Sequence, residues 1–522
     1  MKVSKRSLIV VVVALVAALA LLSGASAQTP APNKPAPGGS NWSALDKVDA
    51  LKASLEKAGF SLTPGEFAAH DLVQETCTGK IPQAGTNPWP NVTFFLQLPV
   101  HPGVTPMPVP GNWQLGEDEA IVLVGQTPPP ALFYSYEVMA ISLPGIKNSR
   151  GLAVGNSVNI RTINTTGPDK YNRPVVIIIT GHRKTERRVR AAVRQAGYPD
   201  AIINVVPISP VIAPLGAGAT GSWFAFPHRI AASLDQPALE AYAKNSPYAV
   251  FRVKPNQPLA PDPEPVPILR VRGTGHTEME LYPSLKLLRQ AILDSYAGMP
   301  FVEMDTKTSQ YLPPDGHETV GEKPYVALQR GKDAAGVSRD NASLTSYPYF
   351  RLRDGVEEFA IVYGANHQAT GKATYASFTP YVDKDRWLGL TDGTVTSNNY
   401  DPDGQAGDSA RKFLCPDDPS QCPDDVQYLY AWKVARHCNG EEFCLELKTE
   451  FADLNGQPYV CKLYDWYDFE HGQPFIGLFK LDEADIQFAW RAYVEPATNA
   501  GPDDNELLYD RVIYFGPYFS EP

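Results

Sequence analysis

Cysteine is scarce in this chain of 522 residues: there are six, at 77, 415, 422, 438, 444 and 461, and no two form a C-x-x-C. Without that spacing or a suitably spaced histidine pair, zinc-thiolate chemistry has no foothold. G-x-S-x-G and H-E-x-x-H are also missing, which removes the usual local signs of serine hydrolases and zinc peptidases. Basic charge is in deficit. The chain carries −11, and the acidic excess with only one short basic stripe does not suit nucleic acid, which demands many phosphate contacts. Apart from Leu8 to Leu22 there is no long apolar run, and that one is shorter than the ~20 residues a spanning helix needs.

The single apolar run is nonetheless informative. Lys2, Lys5 and Arg6 precede it and Ala25-Ser26-Ala27 follows it, so residues 1–27 read as a signal peptide. This predicts a secreted, extracellular or periplasmic protein with no membrane anchor once the signal is cleaved. Six cysteines in an exported chain read as disulfides. Short spacing favours Cys415 with Cys422 and Cys438 with Cys444, and elimination leaves Cys77 with Cys461.

Residues 28–40 form a Pro/Gly-rich linker. Two domains are expected after it, a mixed α/β domain over 41–300 and a β-rich domain over 301–522, so the fold class is α+β. Their charges oppose: residues 28–300 carry +4 and residues 301–522 carry −18. In the first half, Leu45, Val48, Leu51 and Leu55 recur at helical spacing, and a second short helix is expected at Thr63-Pro64. Residues 174–210 read as a β-α-β unit within a mixed sheet: strand Val175–Thr180, helix Glu186–Ala196, strand Ile202–Pro207. Ile268–Arg272 is expected as a strand and Tyr282–Tyr296 as an amphipathic helix. The second half is strand-rich and braced by disulfides, and no repeat at fixed period stands out.

Four stretches carry candidate chemistry. His182, Arg183, Lys184 and Arg187 open a predicted helix, where unpaired N–H groups and the helix dipole favour an anion. That turn lacks the phosphate-loop and dinucleotide glycines. His367, in the loop Gly364 to Lys372, suits a general base, with Asn366 or Lys372 near a developing oxyanion. His276 and Glu278 are further acid–base candidates just before the amphipathic helix. Asp401, Asp403 and Asp408 present oxygens around glycines, so calcium is the ion they would take, although no cofactor is required.

From these features the chain leans toward an extracellular enzyme of hydrolase type with a cleft between its halves. The alternatives are an extracellular binding protein for an anionic small molecule or glycan, and a surface or matrix protein.

Overall fold

The computed structural model describes residues 43–78, 80, 91–107, 111–145, 152–308, 325–330, 351–382, 388–391, 393–395, 405–447, 450–453, 457–459, 461, 466–468, 473–475 and 486–517. The signal and linker residues lie outside these. The fold is α+β, built as two lobes within the unit Trp42–Pro522.

The first lobe is a nine-stranded sheet. Its strands are β1 (Phe60–His70), β2 (Val92–Gln97), β3 (Ala120–Gln126), β4 (Ala131–Tyr136), β5 (Val158–Asn159), β6 (Pro174–Thr180), β7 (Ile203–Pro207), β8 (Pro227–Ser233) and β9 (Tyr248–Pro255). The second lobe contributes β10 (Phe301–Thr308), β11 (Tyr325–Arg330), β12 (Phe359–Ala365), β13 (Tyr375–Val382), β14 (Leu388–Gly389), β15 (Leu429–Ala435), β16 (Cys444–Glu446), β17 (Ile486–Tyr493) and β18 (Arg511–Phe515). A tenth short strand, Gly393–Val395, adds to β13.

In the first sheet the spatial order is β5-β4-β8-β2-β1-β9-β3-β6-β7, and in the second it is β14-β13-β17-β11-β10-β18-β12-β15-β16. The two orders are the same, each strand having its counterpart nine labels on. Directions agree as well: β6 with β7 and β15 with β16 are parallel, and the other pairs along both paths are antiparallel.

Each sheet is bent by one long strand that changes partner midway. β1 pairs with β9 through Phe60–Gly65 and with β2 through Glu66–His70. β10 pairs with β18 through Phe301–Met304 and with β11 through Asp305–Thr308. The short helix expected at Thr63-Pro64 is therefore a strand. Period-two burial around Phe60 and Leu62 wins over the turn signal, and a helix α2 (Leu72–Cys77) begins later, capped by Asp71. In the first lobe the bend brings the edges almost together: Asn204, on β7, exchanges hydrogen bonds with Asn164, just past β5, at 2.8 and 3.1 Å. The sheet is nearly closed.

Helices cover the outer face of one half of each sheet. In the first lobe these are α1 (Val48–Lys57) and α3 (Arg183–Gln195), whose Leu51, Leu55, Val189 and Val193 pack on Val122, Val124, Ile178 and Val253. A short α4 (Gln236–Lys244) joins β8 to β9. In the second lobe α5 (Tyr282–Ser295) and α6 (Gln405–Leu414) place Leu285, Leu288, Ile292 and Phe413 on Ile361, Tyr363, Ala431 and Ile513. The β6-α3-β7 unit explains itself by this layering, because Val175 to Ile179 are buried on both faces and read as one continuous apolar run. Both α1 and α5 follow a four-residue 3-10 turn capped by a hydroxyl, Ser43 in one case and Thr277 in the other.

α5 lies before residue 301 yet covers the second sheet, so the chain changes lobe within an extended strap, residues 256–277. The expected strand Ile268–Arg272 falls in that strap and forms no ladder. Val73 and Cys77 of α2 sit in the interior of the second lobe, and Cys77 is bonded to Cys461. Cys415–Cys422 and Cys438–Cys444 are the other two disulfides. Among the described residues no helix is long and apolar enough to cross a membrane.

Candidate functional site

Seven of the nine histidines fall among the described residues, and their surroundings separate them sharply. His70 is engaged at both ring nitrogens, by Glu75 (3.0 Å) and Gln97 (2.8 Å). His182 is engaged at both, with Nδ1 accepting from Thr185 N (3.2 Å) and Nε2 donating to Ala260 O (3.0 Å). His276 is exposed and only 3.7 Å from Glu280 on the same turn. His437 forms a surface pair with Asp354.

His367 and Glu278, far apart in sequence, meet in the second lobe. Glu278 arrives on the 3-10 turn before α5, His367 on the β12–β13 loop, and Asp510 at the start of β18. Nδ1 of His367 is 2.9 Å from both Glu278 oxygens and Nε2 is 3.1 Å from Asp510 Oδ2. Leu508 N (2.9 Å) and the Thr370 hydroxyl (2.5 Å) also donate to Glu278, and Tyr430 donates to Asp510 (2.8 Å). His367, Glu278 and Asp510 are all about 2% exposed or less. Burial alone would discharge the ring, but the two carboxylates outweigh it and push its pKa up to about 10. Burial would likewise raise Glu278, and the imidazolium holds it below the usual range instead. With both ring nitrogens donating, the cation has no lone pair with which to accept a proton.

Beside this cluster Lys372, also buried, donates to Glu506 (2.5 Å), Glu495 (3.0 Å) and Thr274 Oγ1 (3.1 Å). Burial would lower its pKa, and the two glutamates raise it. Asn366 Oδ1 caps its own loop by accepting from Ala369 N. His276, predicted alongside Glu278, lies outside the cluster.

His101 differs from all of these, and nothing in its sequence setting singled it out. It lies on the loop between β2 and β3, with Nε2 3.3 Å from Gln114 O and 3.4 Å from Glu119 Oε2. Those partners only accept, so Nε2 carries the proton; Nδ1 has no partner among the described residues. Its side chain keeps 11% of its surface, against 3% for Glu119. Burial and the Arg252 charge lower its pKa against the pull of Glu119, leaving a neutral imidazole near pH 7. Arg252 completes the group: it donates to Pro99 O (2.7 Å) and Gln114 O (3.2 Å), and its buried Nε–H, without an acceptor among the described residues, lies 3.9 Å from Glu119 Oε2. Sequence spacing could not reveal this set, because Glu119 and Arg252 become neighbours only through the pairing of β3 with β9, more than 120 residues apart in the chain.

At the predicted anion site, the chain supplies its own anion. Asp262 of the strap lies 2.7 Å from Arg183 and 2.9 Å from Arg187, and Arg183 N donates to Asp262 O. Asp401 and Asp403 lie outside the described residues, and Asp408 is in α6.

No family model matches the chain, and no curated protein matches it. Among solved structures, the VPA0106 protein from Vibrio parahaemolyticus aligns over 90% of this chain and 96% of that one, with 9% identity and a TM-score of 0.32. So loose a likeness carries no argument about fold or function.

Proposed function

We propose that the protein is an exported hydrolase-type enzyme whose acid–base group is His101 at the end of the first sheet, rather than His367 or His276. The observation that carries this reading is the combination found at His101: a buried carboxylate on one ring nitrogen, an open second nitrogen, partial exposure and a neutral ring. Glu119 fixes the tautomer, so Nδ1 takes a proton from a water or hydroxyl attacking the substrate, and the resulting imidazolium is stabilised by that carboxylate. Arg252 adds a positive charge that acts on this ring and would favour a developing oxyanion. Export rests on the N-terminal 27 residues, and three disulfides fit an oxidising compartment.

The test is a screen of the purified mature protein against ester, glycoside and phosphate substrates. His101→Ala and Glu119→Gln are expected to lower kcat by about 100-fold or more with the fold intact. Full activity in His101→Ala, or no turnover of any substrate, removes the reading. Calcium is the ion proposed for Asp401, Asp403 and Asp408; calorimetric titration of the chelated protein and its Asp403→Ala variant decides it.

A further inference from the structure

We propose that the two lobes are copies of one folding unit fused in a single chain, and that the surface between them is self-recognising, its partner being a second copy of the same fold. Shared strand order is the first observation, and shared detail at equivalent register is the second. Arg229 faces Ser135 across β8 and β4, and Arg491 faces Ser377 across β17 and β13. Val250 faces Leu123 across β9 and β3, and Val512 faces Val362 across β18 and β12. Two residues along, Gly125 and Gly364 each leave room for the facing side chain, Tyr248 in one lobe and Asp510 in the other. The residues before β3 and β12 are both buried glutamates, Glu119 and Glu358, each turning back to accept a loop N–H, from Gly116 and Arg353.

Backbone strain repeats too. Ala232 has φ +53° and Val494 has φ +54°, a left-handed conformation that alanine and valine rarely adopt. They occupy the same position, one residue beyond the pairs Ala231–Phe133 and Tyr493–Tyr375.

The lobes meet through those same pairs. Leu132, Phe133 and Ala231 of the first lobe form one buried cluster with Tyr375, Tyr493 and Val494 of the second. Phe133 stacks on its own counterpart Tyr375, with centroids 6.1 Å apart and planes at 14°. A residue touching its own equivalent is the mark of an isologous, two-fold interface. The large ring beside this axis comes from one side only, since Tyr493 packs on Phe133 at 4.5 Å while the matching position holds Ala231.

That asymmetry provides the test in the full chain. Tyr493→Ala and Ala231→Tyr should each lower Tm, one by a cavity and the other by overpacking. Combined, they move the ring to the other side of the axis, against Tyr375, and should regain at least half of the summed loss. The gentler exchange of Phe133→Tyr with Tyr375→Phe should match the wild type although the single changes do not. Additive losses in both exchanges would overturn the proposal, as would a Tyr493→Ala variant with unchanged Tm.

Discussion

The lobes share a scaffold but bury a histidine in opposite charge states. In the first, His228 is fully buried among Tyr134, Tyr136, Tyr242, Tyr248, Phe67 and Phe94, and lies flat on Tyr136 at 3.9 Å. Burial drives its pKa down to about 3, and only the Ser135 carbonyl opposes the fall. In the second, His367 is equally buried yet is held charged by Glu278 and Asp510. The position that supplies Asp510 in one lobe supplies Tyr248 in the other. The equivalent site thus carries a phenol in an aromatic, neutral interior and a carboxylate in an ionic one, while the strands around it stay in register.

The largest expected effect comes from removing each ring. His367→Ala leaves two buried carboxylates without their cation, and breaking a buried pair in this way costs about 3–5 kcal/mol. His228→Phe removes an Nε2 with no partner among the described residues and one Nδ1–H bond to the Ser135 carbonyl while keeping the aromatic shape, so its cost should be about 1–2 kcal/mol. Urea unfolding of the two variants measures this. Equal losses would erase the contrast between the interiors.

Titration sharpens the same contrast, at a few kcal/mol. His228 has a folded pKa below its unfolded value of about 6.5, so its stabilising effect is complete above pH 6.5 and is lost as pH falls toward 3. His367 has a folded pKa above its unfolded value, so its contribution is complete below pH 6.5 and is lost as pH rises through about 10. Glu278, held low, begins to lose its contribution only below about pH 4.5. Between pH 6.5 and 4.5 the first lobe should weaken alone, and between pH 6.5 and about 10 the second alone; above that the buried Tyr134, Tyr136, Tyr242 and Tyr248, whose pKa values burial raises, weaken the first lobe as well. Lobe-resolved hydrogen exchange reads the difference, and parallel loss in both lobes would contradict it.

A smaller, symmetric effect is expected at the paired glycines. Gly125→Ala and Gly364→Ala each drive a methyl into the facing side chain, at a cost of about 1–3 kcal/mol. Similar costs are expected because in both lobes the added methyl would overlap the facing side chain to a similar degree.

These pairs also explain what was legible beforehand. The β-α-β unit was readable because Val175 to Ile179 form an unbroken apolar run and Gly197 ends the helix, and the disulfides were readable because two of them are local. The duplication was not. It survives in isolated residues such as Glu119/Glu358, Gly125/Gly364 and Arg229/Arg491, separated by loops of unequal length, so no fixed period emerges. The outer helices hide it further, since α3 lies between β6 and β7 whereas α6 precedes β15. His367 and Glu278 are legible only as separate acid–base candidates, the latter beside His276; that they meet is not, and Asp510, which closes the ring of partners, lies 143 residues from His367. His101 stayed hidden because Glu119 and Arg252 become its neighbours only through strand order.

The smallest expected effect concerns the strap, which is tied to both lobes in different media. On the first lobe Asp262 holds it through Arg183 and Arg187, whose side chains are more than half exposed. On the second, Glu506 accepts from Thr274 N (3.0 Å) and Gly275 N (2.5 Å) and from buried Lys372. Exposed pairs are screened once the Debye length shrinks to about 3 Å at 1 M salt, whereas buried ones are not. Asp262→Asn should therefore lower Tm slightly at low salt and not at all at 1 M, while the Tm loss of Glu506→Gln should persist at both. The two variants melted at both salt concentrations give four values, and a salt-sensitive Glu506→Gln would mean that the second anchor is as open to solvent as the first.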